Sequence, residues 1–485
     1  MTEIELKFQV PAAARERLRR ALATASAETL RLQAVYADTA DQRLAAAGFA
    51  LRLRKEGRRW VQTLKGRGDG LMERLEHEVP LAPQRGAPVL DPARHAGTPA
   101  GDALAALLAD GAALQPRYRT DIRRLRRRVR SGGALVEVAF DEGRIIAGAS
   151  VLPVCEVEFE LLAGPPAALV ALAARWAARH GLWLDVRTKS ERGQRLADGV
   201  DRVPATRAAP LPLPAAATPG SAFAAMLESS LTQLLPNAAE IAGGSGAAEH
   251  LHQLRVGLRR LRTALRLFAG WSADPAAAHA LEARFREPFA RLGAARDTDA
   301  LAAALQPMWA AADAPPLLLA APAAAEDPAA LLREPVFTAL VLQALGLSLG
   351  EVATPQPPLA EAARAVLAPA WRKLRADAKA FATAEPAAQH RTRKRLKRLR
   401  YATEFLLSAL PPRRARRALD AMRSALDALG AYNDALVAGA RFRDQLAQDP
   451  QAWFALGWLA AQRERLLRRA SRRLQALARL PRLWR

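Results

Sequence analysis

The sequence predicts a multidomain α+β protein in which a strand-rich region is followed by an all-helical one. Before position 200, polar residues recur at every second position: Glu3/Glu5/Lys7, Arg52/Arg54, Arg74/Glu76/Glu78, Arg117/Arg119/Asp121/Arg123 and Glu156/Glu158/Glu160. Apolar residues such as Ile4, Leu6, Leu51, Leu53, Val157 and Phe159 lie between them, and a period of two is that of a strand. Helical stretches around Ala12–Leu22 and Pro166–His180 interrupt the strands. After position 220 the chain is rich in Ala, Leu and Arg at helical spacing, broken by Pro and Gly. Residues 201–220 are rich in Pro and Ala, carry no periodicity and read as a semi-extended linker.

The 485 residues suffice for several domains, and 51% hydrophobic composition excludes disorder throughout. Cys155 is the sole cysteine, so a disulfide scaffold is excluded and a reducing compartment is expected. The first seven residues have neither the basic nor the apolar region of a signal peptide. The longest uncharged candidate for a membrane helix, Pro335–Gly350, is shorter than the ~20 apolar residues a span needs. A soluble, cytoplasmic protein is therefore expected. Its 72 Lys+Arg exceed 48 Asp+Glu, leaving a formal charge of +24 that must meet water or an anion: nucleic acid, acidic lipid or a phosphate polymer.

Alternation puts each polar set on one face of its strand. For one strand the simple reading is a solvated outer face. Five such strands, some rich in carboxylates and others in Arg or Lys, point elsewhere. If they close into a barrel, the charged interior must hold something polar, because unpaired buried charge costs several kcal/mol per ion. A metal with a polyanion satisfies both signs.

Glu3-x-Glu5-x-Lys7 resembles the ExExK signature of the CYTH, or triphosphate tunnel metalloenzyme, superfamily. Tyr36-x-Asp38-Thr39, Arg52-x-Arg54, Lys65-Gly66, Arg74-x-Glu76, Thr120-Asp-Ile-Arg123-Arg124, Glu137, Asp141-Glu-Gly143, Glu156-x-Glu158-x-Glu160 and Lys189-Ser190 follow in the family's order. The resemblance covers residues 1–200. It implies an eight-stranded antiparallel tunnel barrel with flanking helices that hydrolyses a triphosphate with Mg²⁺ or Mn²⁺. Hard divalent cations take carboxylate oxygens, so Glu3, Glu5, Asp141, Glu156 and Glu158 are the metal candidates. Phosphate oxygens take guanidinium and ammonium groups, so Arg52, Arg54, Lys65, Arg74, Arg119, Arg123 and Lys189 are the substrate-binding candidates. Lys7 is expected to position the attacked phosphorus, and one of Glu76, Glu78 or Glu137 to orient the water. Tyr36, Trp60 and Tyr118 read as barrel packing rather than as a platform for a base or thiazole.

The helical region contains a repeat. His252-x2-Arg255-x3-Arg259-Arg260-Leu261-Arg262 recurs as His390-x2-Arg393-x3-Lys397-Arg398-Leu399-Arg400, and Leu292-Gly293-x3-Asp297 recurs as Leu429-Gly430-x3-Asp434. On a helix, His252, Arg255, Arg259 and Arg262 share one stripe, with Leu251, Leu254, Leu258, Leu261, Leu265 and Phe268 beside it. A charge run is usually a solvated face. Here the stripe recurs, histidine included, and no acid stands at i+4 within either copy. The pattern resembles the CHAD domain over residues 221–485, as two repeats at about 221–310 and 360–485. That resemblance implies paired helical bundles whose stripes bind inorganic polyphosphate. The carry-over falls on His252, Arg255, Arg259, Arg260, Arg262, His390, Arg393, Lys397, Arg398 and Arg400.

The expected function is thus metal-dependent hydrolysis of inorganic triphosphate with polyphosphate binding, in the cytoplasm or on polyphosphate granules. The alternatives are a polyphosphate-binding protein without turnover, or a tunnel acting on nucleoside or thiamine triphosphate or as an adenylate cyclase. Nucleic-acid binding is disfavoured, because the basic helices lack interleaved aromatics for stacking and carry no zinc or helix-turn-helix signature.

Overall fold

The computed structural model describes residues 2–484 apart from 69, 83, 85, 295–300, 302–304, 307–308, 311–325 and 448. They form two compact units: Met1–Thr206, Leu234–His250 and Leu332–Leu349 in the first, and Arg207–Gln233, Leu251–Leu331 and Gly350–Arg485 in the second.

Eight strands dominate the first unit: β1 (Thr2–Gln9), β2 (Glu28–Asp38), β3 (Ala50–Glu56), β4 (Arg59–Arg67), β5 (Glu73–Leu81), β6 (Gln115–Ser131), β7 (Ala134–Ala147) and β8 (Ser150–Ala163). Their order is β5-β4-β3-β2-β6-β7-β8-β1, and β1 pairs back onto β5, so the sheet closes into an antiparallel barrel. A two-residue β9 (Trp183–Leu184) adds to β1 at Phe8 and Gln9.

The apolar rows face outward, and helices cover part of them. Phe159 meets Phe8 and Trp176 edge to face at 5.6 and 5.9 Å, beneath α4 (Pro166–His180) and beside α1 (Arg15–Leu22). Leu51 and Leu64 pack with Leu44 of α2 (Arg43–Ala46) and Leu104 of α3 (Pro99–Leu107). This outer core supplies the hydrophobic burial, which leaves the inner rows free to be charged.

One end of the interior is apolar: Leu32, Ala34, Tyr36, Tyr118, Ile122, Ile145 and Val154 pack against Leu196 and Ala197 of α5 (Lys189–Asp198). A capping box between Thr188 and Glu191 starts α5. Gly193 is required where α5 meets the barrel, because a Cβ there would stand 2.3 Å from the Tyr118 ring. The alternation of the strand sequences gave no sign of this helix.

Further helices among the described residues are α6 (Pro219–Ala242), α7 (Ala248–Leu267), α8 (Pro275–Arg284), α9 (Arg286–Ala294), α10 (Pro328–Arg333), α11 (Pro335–Ser348), α12 (Leu359–Ala380), α13 (Pro386–Phe405), α14 (Pro412–Gln445) and α15 (Ala452–Ala478). Two stretches from this region belong to the first unit. There α11 packs on α4, and Asn237 near the end of α6 clasps Thr206 through bonds of 2.8 and 3.1 Å. In the second unit Leu254, Leu258, Leu261 and Leu265 of α7, and Phe268 just beyond its end, are fully buried, as the apolar side of the stripe predicts. Asp297 lies outside the described residues.

Candidate active site

Antiparallel register carries the inner rows across the barrel. Arg124, Asp141, Glu156 and Gln9 stand in one row, then Arg126, Ala139, Glu158 and Lys7, then Arg128, Glu137, Glu160 and Glu5. On the facing wall Arg52 pairs with Thr63 and Thr63 with Glu78, while Lys65 pairs with Glu76.

Asp141, Glu156 and Glu158 present carboxylate oxygens within 4.8 Å of one another, and the first two are completely buried. The ammonium of Lys189 lies among them, at 2.7, 2.5 and 2.7 Å. Arg124 donates two bonds of 2.7 Å to Asp141 and one of 2.5 Å to Glu158. Arg192 bonds Glu156, and Lys7 stands 3.7 Å from it with its ammonium donating to the Arg187 carbonyl. Burial opposes ionisation of Glu156, but Lys189, Lys7 and Arg192 hold its pKa down to about 2. The same contest, won by Lys189 and Arg124, keeps Glu158 well below the usual carboxylate range. Burial lowers the Lys7 pKa against the pull of Glu156. An all-oxygen donor set that already surrounds one cationic group fits a hard divalent cation such as Mg²⁺ or Mn²⁺.

Across the lumen, Lys65 bonds Glu76 and stands 3.6 Å from Glu3. Arg52 reaches Glu76 at 3.5 Å and Glu78 at 3.8 Å, and donates to the Tyr36 hydroxyl at 3.1 Å. Arg54 donates to Glu78 at 2.9 Å. Glu3 is crowded by Glu76 and Glu160, and burial, only partly offset by Lys65, pushes its pKa up to about 9. Lys65 acts electrostatically on Glu158 and Arg124 on Arg54, so both walls share one polar interior.

In the second unit α7 and α13 bring the two basic stripes together. Burial, then Arg393 and Arg259, lower the Lys397 pKa to about 7, with Asp434 opposing them. The Nε atoms of Arg259 and Arg393 are buried without a hydrogen-bond partner. The glycine-aspartate segment lies against the stripe: Arg393 reaches within 3.8 Å of the place a Gly430 Cβ would occupy, and Asn433 meets His390 at 3.2 Å. Arg259, Arg393 and Lys397 thus stand close enough to act on one another electrostatically, with Asp434 opposing them.

The family models match here. Residues 1–193 match the CYTH domain and residues 225–443 the CHAD domain. The chain joins a CYTH domain to a CHAD domain. An inorganic triphosphatase of Haemophilus influenzae is 31% identical over 173 residues, covering 34% of this chain and 46% of that protein, so the chain spans under half the length of this curated relative. Among solved structures, the CHAD domain of the plant Ricinus communis is 30% identical with a TM-score of 0.47, over 58% of this chain and 99% of that one. A putative adenylyl cyclase from Hippeastrum, described as having a dominant triphosphatase activity, is 20% identical with a TM-score of 0.27, over 41% of this chain and 96% of that one.

Within the CYTH domain the structure gathers Asp141, Glu156 and Glu158 but sets Glu3 and Glu5 apart, Glu3 beside Lys65 and Glu5 3.5 Å from Arg74. Lys189 sits with these carboxylates, not with Arg52, Arg54 and Lys65. The expectation for Arg119 and Arg123 is corrected: both are exposed on the outer face, where their row partner Asp121 pairs with Arg31 at 2.9 Å. Tyr118, Thr120 and Ile122 face inward instead, so the next inward position is Arg124. Glu137 meets Arg126 at 3.4 Å. Arg124, Arg192 and Glu160 were missed as site residues. The even-numbered row of β6, charged from Arg124 onward, was the available signal, hidden by the apolar half that seats α5.

In the CHAD domain three of the expected residues are engaged elsewhere. Arg262 bonds Glu282 at 2.9 Å, Arg400 bonds Glu404 at 2.5 Å, and Arg260 is buried with its guanidinium 4.6 Å from the Phe405 ring centre. Glu404 is the i+4 acid of Arg400, one turn beyond the repeated motif, so the expected lack of such partners holds only inside it.

Proposed function

We propose that the barrel hydrolyses inorganic triphosphate with a divalent cation, Mg²⁺ or Mn²⁺, and that the basic helices bind inorganic polyphosphate. The observation that carries this reading is the carboxylate trio already surrounding a cationic group, facing a wall of Arg52, Arg54 and Lys65. Asp141, Glu156 and Glu158 would hold the cation, which when bound neutralises phosphate charge and activates water. Arg52, Arg54 and Lys65 grip phosphate oxygens, exchanging Glu76 and Glu78 for the substrate. Lys7, held between the Arg187 carbonyl and Glu156, faces the reacting phosphoryl group, and Glu76 or Glu78, released from its cation, accepts a proton from the attacking water. Arg255, Arg259, Arg393 and Lys397 form the polyphosphate site. A cytoplasmic location, with association with polyphosphate granules, accords with this chemistry; no helix among the described residues is long and apolar enough to cross a membrane.

The test separates the two activities. Glu156→Gln with Glu158→Gln should abolish phosphate release and preserve polyphosphate binding, whereas reversing Arg255, Arg259, Arg393 and Lys397 to Glu should do the opposite. Loss of both activities in either variant contradicts the two-site reading.

A further inference from the structure

The segment Asp185–Asp198 carries Lys189 and Arg192 into the lumen, and part of its anchorage lies outside the matched CYTH residues. Glu240, near the end of α6, is buried and receives both terminal nitrogens of Arg195, at 2.7 and 3.0 Å. The same carboxylate lies 3.9 Å from Arg187 and accepts from Ser245 at 2.5 Å. Arg187 in turn holds Asp185 through bonds of 3.0, 3.0 and 2.9 Å, and its carbonyl receives the Lys7 ammonium. A second observation marks the same seat: a Cβ on Gly243 would stand 2.3 Å from an Arg187 terminal nitrogen, so the missing side chain makes room for the guanidinium.

We propose that Glu240 is a positioning residue for the tunnel reaction, clamping Arg187 and Arg195 on either side of Lys189 so that Lys7 and Lys189 keep their places. The clamp comes from a stretch that lies in the CHAD-matched part of the sequence but folds with the barrel unit. This inference rests on the triphosphatase reading for its kinetic consequence only. Arg52, Arg54 and Lys65 are held by β3 and β4 and do not depend on the clamp, so substrate grip should survive its loss while the chemical step suffers.

The test uses the full chain with Glu240→Gln and, separately, Gly243→Ala, which keeps the carboxylate but displaces the Arg187 guanidinium. Hydrogen exchange of amides 187–198 should accelerate about tenfold in both, with residues 50–81 unchanged. With tripolyphosphate and Mg²⁺, kcat should fall about tenfold while KM changes less than twofold. Unchanged exchange, unchanged kcat, or a loss confined to KM overturns the proposal. Should wild-type protein release no phosphate, the triphosphatase reading fails on that result alone, and exchange in the two variants still decides whether Glu240 holds the segment. If Glu240→Gln does not fold, Gly243→Ala supplies both readouts.

Discussion

Replacing Arg124 by Met probes the charge balance of the lumen directly. Arg124 is the bidentate partner of Asp141 and also bonds Glu158, and its side chain is only 17% exposed. Its loss leaves Lys189 facing the whole trio, assisted at Glu156 by Lys7 and Arg192. Breaking one side of a buried ion pair costs about 3–5 kcal/mol, because the abandoned charge stays desolvated. For a unit of this size each kcal/mol lowers Tm by about 2–4 °C, so the barrel transition should fall by roughly 6–20 °C. Arg123→Met, one residue away on the outer face, should stay within about 0.5 kcal/mol of the parent. Thermal unfolding without divalent cation measures both, and Mg²⁺ should recover part of the Arg124→Met loss, since ligand at 100 times its Kd contributes about 2.7 kcal/mol. Equal shifts for the two variants, or a fall under about 2 °C for Arg124→Met, would refute the inward register and the balance built on it.

Lys397 should make polyphosphate binding pH-dependent: burial and two arginines lower its pKa to about 7, so a bound anion restores the proton, and affinity is full below pH 7 and weakens above it by up to about tenfold per unit. Calorimetry in buffers of different ionisation enthalpy should show proton uptake near pH 8, lost in Lys397→Arg. For the unliganded protein the sign reverses, since a lowered folded pKa makes this group's contribution to stability rise between pH 7 and its unfolded value. A chain ending at Thr206 should melt well below the barrel unit of the full protein in calorimetry, because it strips α11 from α4, Glu240 from Arg195, and the 5.9 Å stacking of Arg333 on Trp183. Equal melting temperatures would show that those stretches do not stabilise the barrel.

Much of this architecture is legible in alternation and repetition. The rows beginning at Glu3, Arg52 and Glu156 are lumen-facing as read, since Leu6, Leu51, Val157 and Phe159 in the alternate rows are buried on the other face, and the Arg74 row follows them by register with β4. The β6 row failed because both of its faces carry arginines: Arg117, Arg119 and Arg123 form a visible period of two, but the outer solvent is as good a home for them as a lumen. Which row turns inward was decided by Tyr118 and Ile122 packing on α5, a tertiary contact that no local pattern announces. The stripes of α7 and α13 were visible as an exact repeat of offsets, yet Glu282 lies twenty residues from Arg262 in sequence, so its engagement of that arginine could not be seen. Nor could Glu240, whose partners lie about fifty residues upstream.

A lumen that turns over triphosphate with a cation held by its carboxylates must release phosphate only when metal is present. Phosphate release from tripolyphosphate, ATP and thiamine triphosphate, each with Mg²⁺, Mn²⁺ or chelator, tests it in one experiment. Release should require metal, be fastest with tripolyphosphate, and be lost in Glu156→Gln. Release that persists in chelator, or tripolyphosphate left intact under every metal condition, would contradict it.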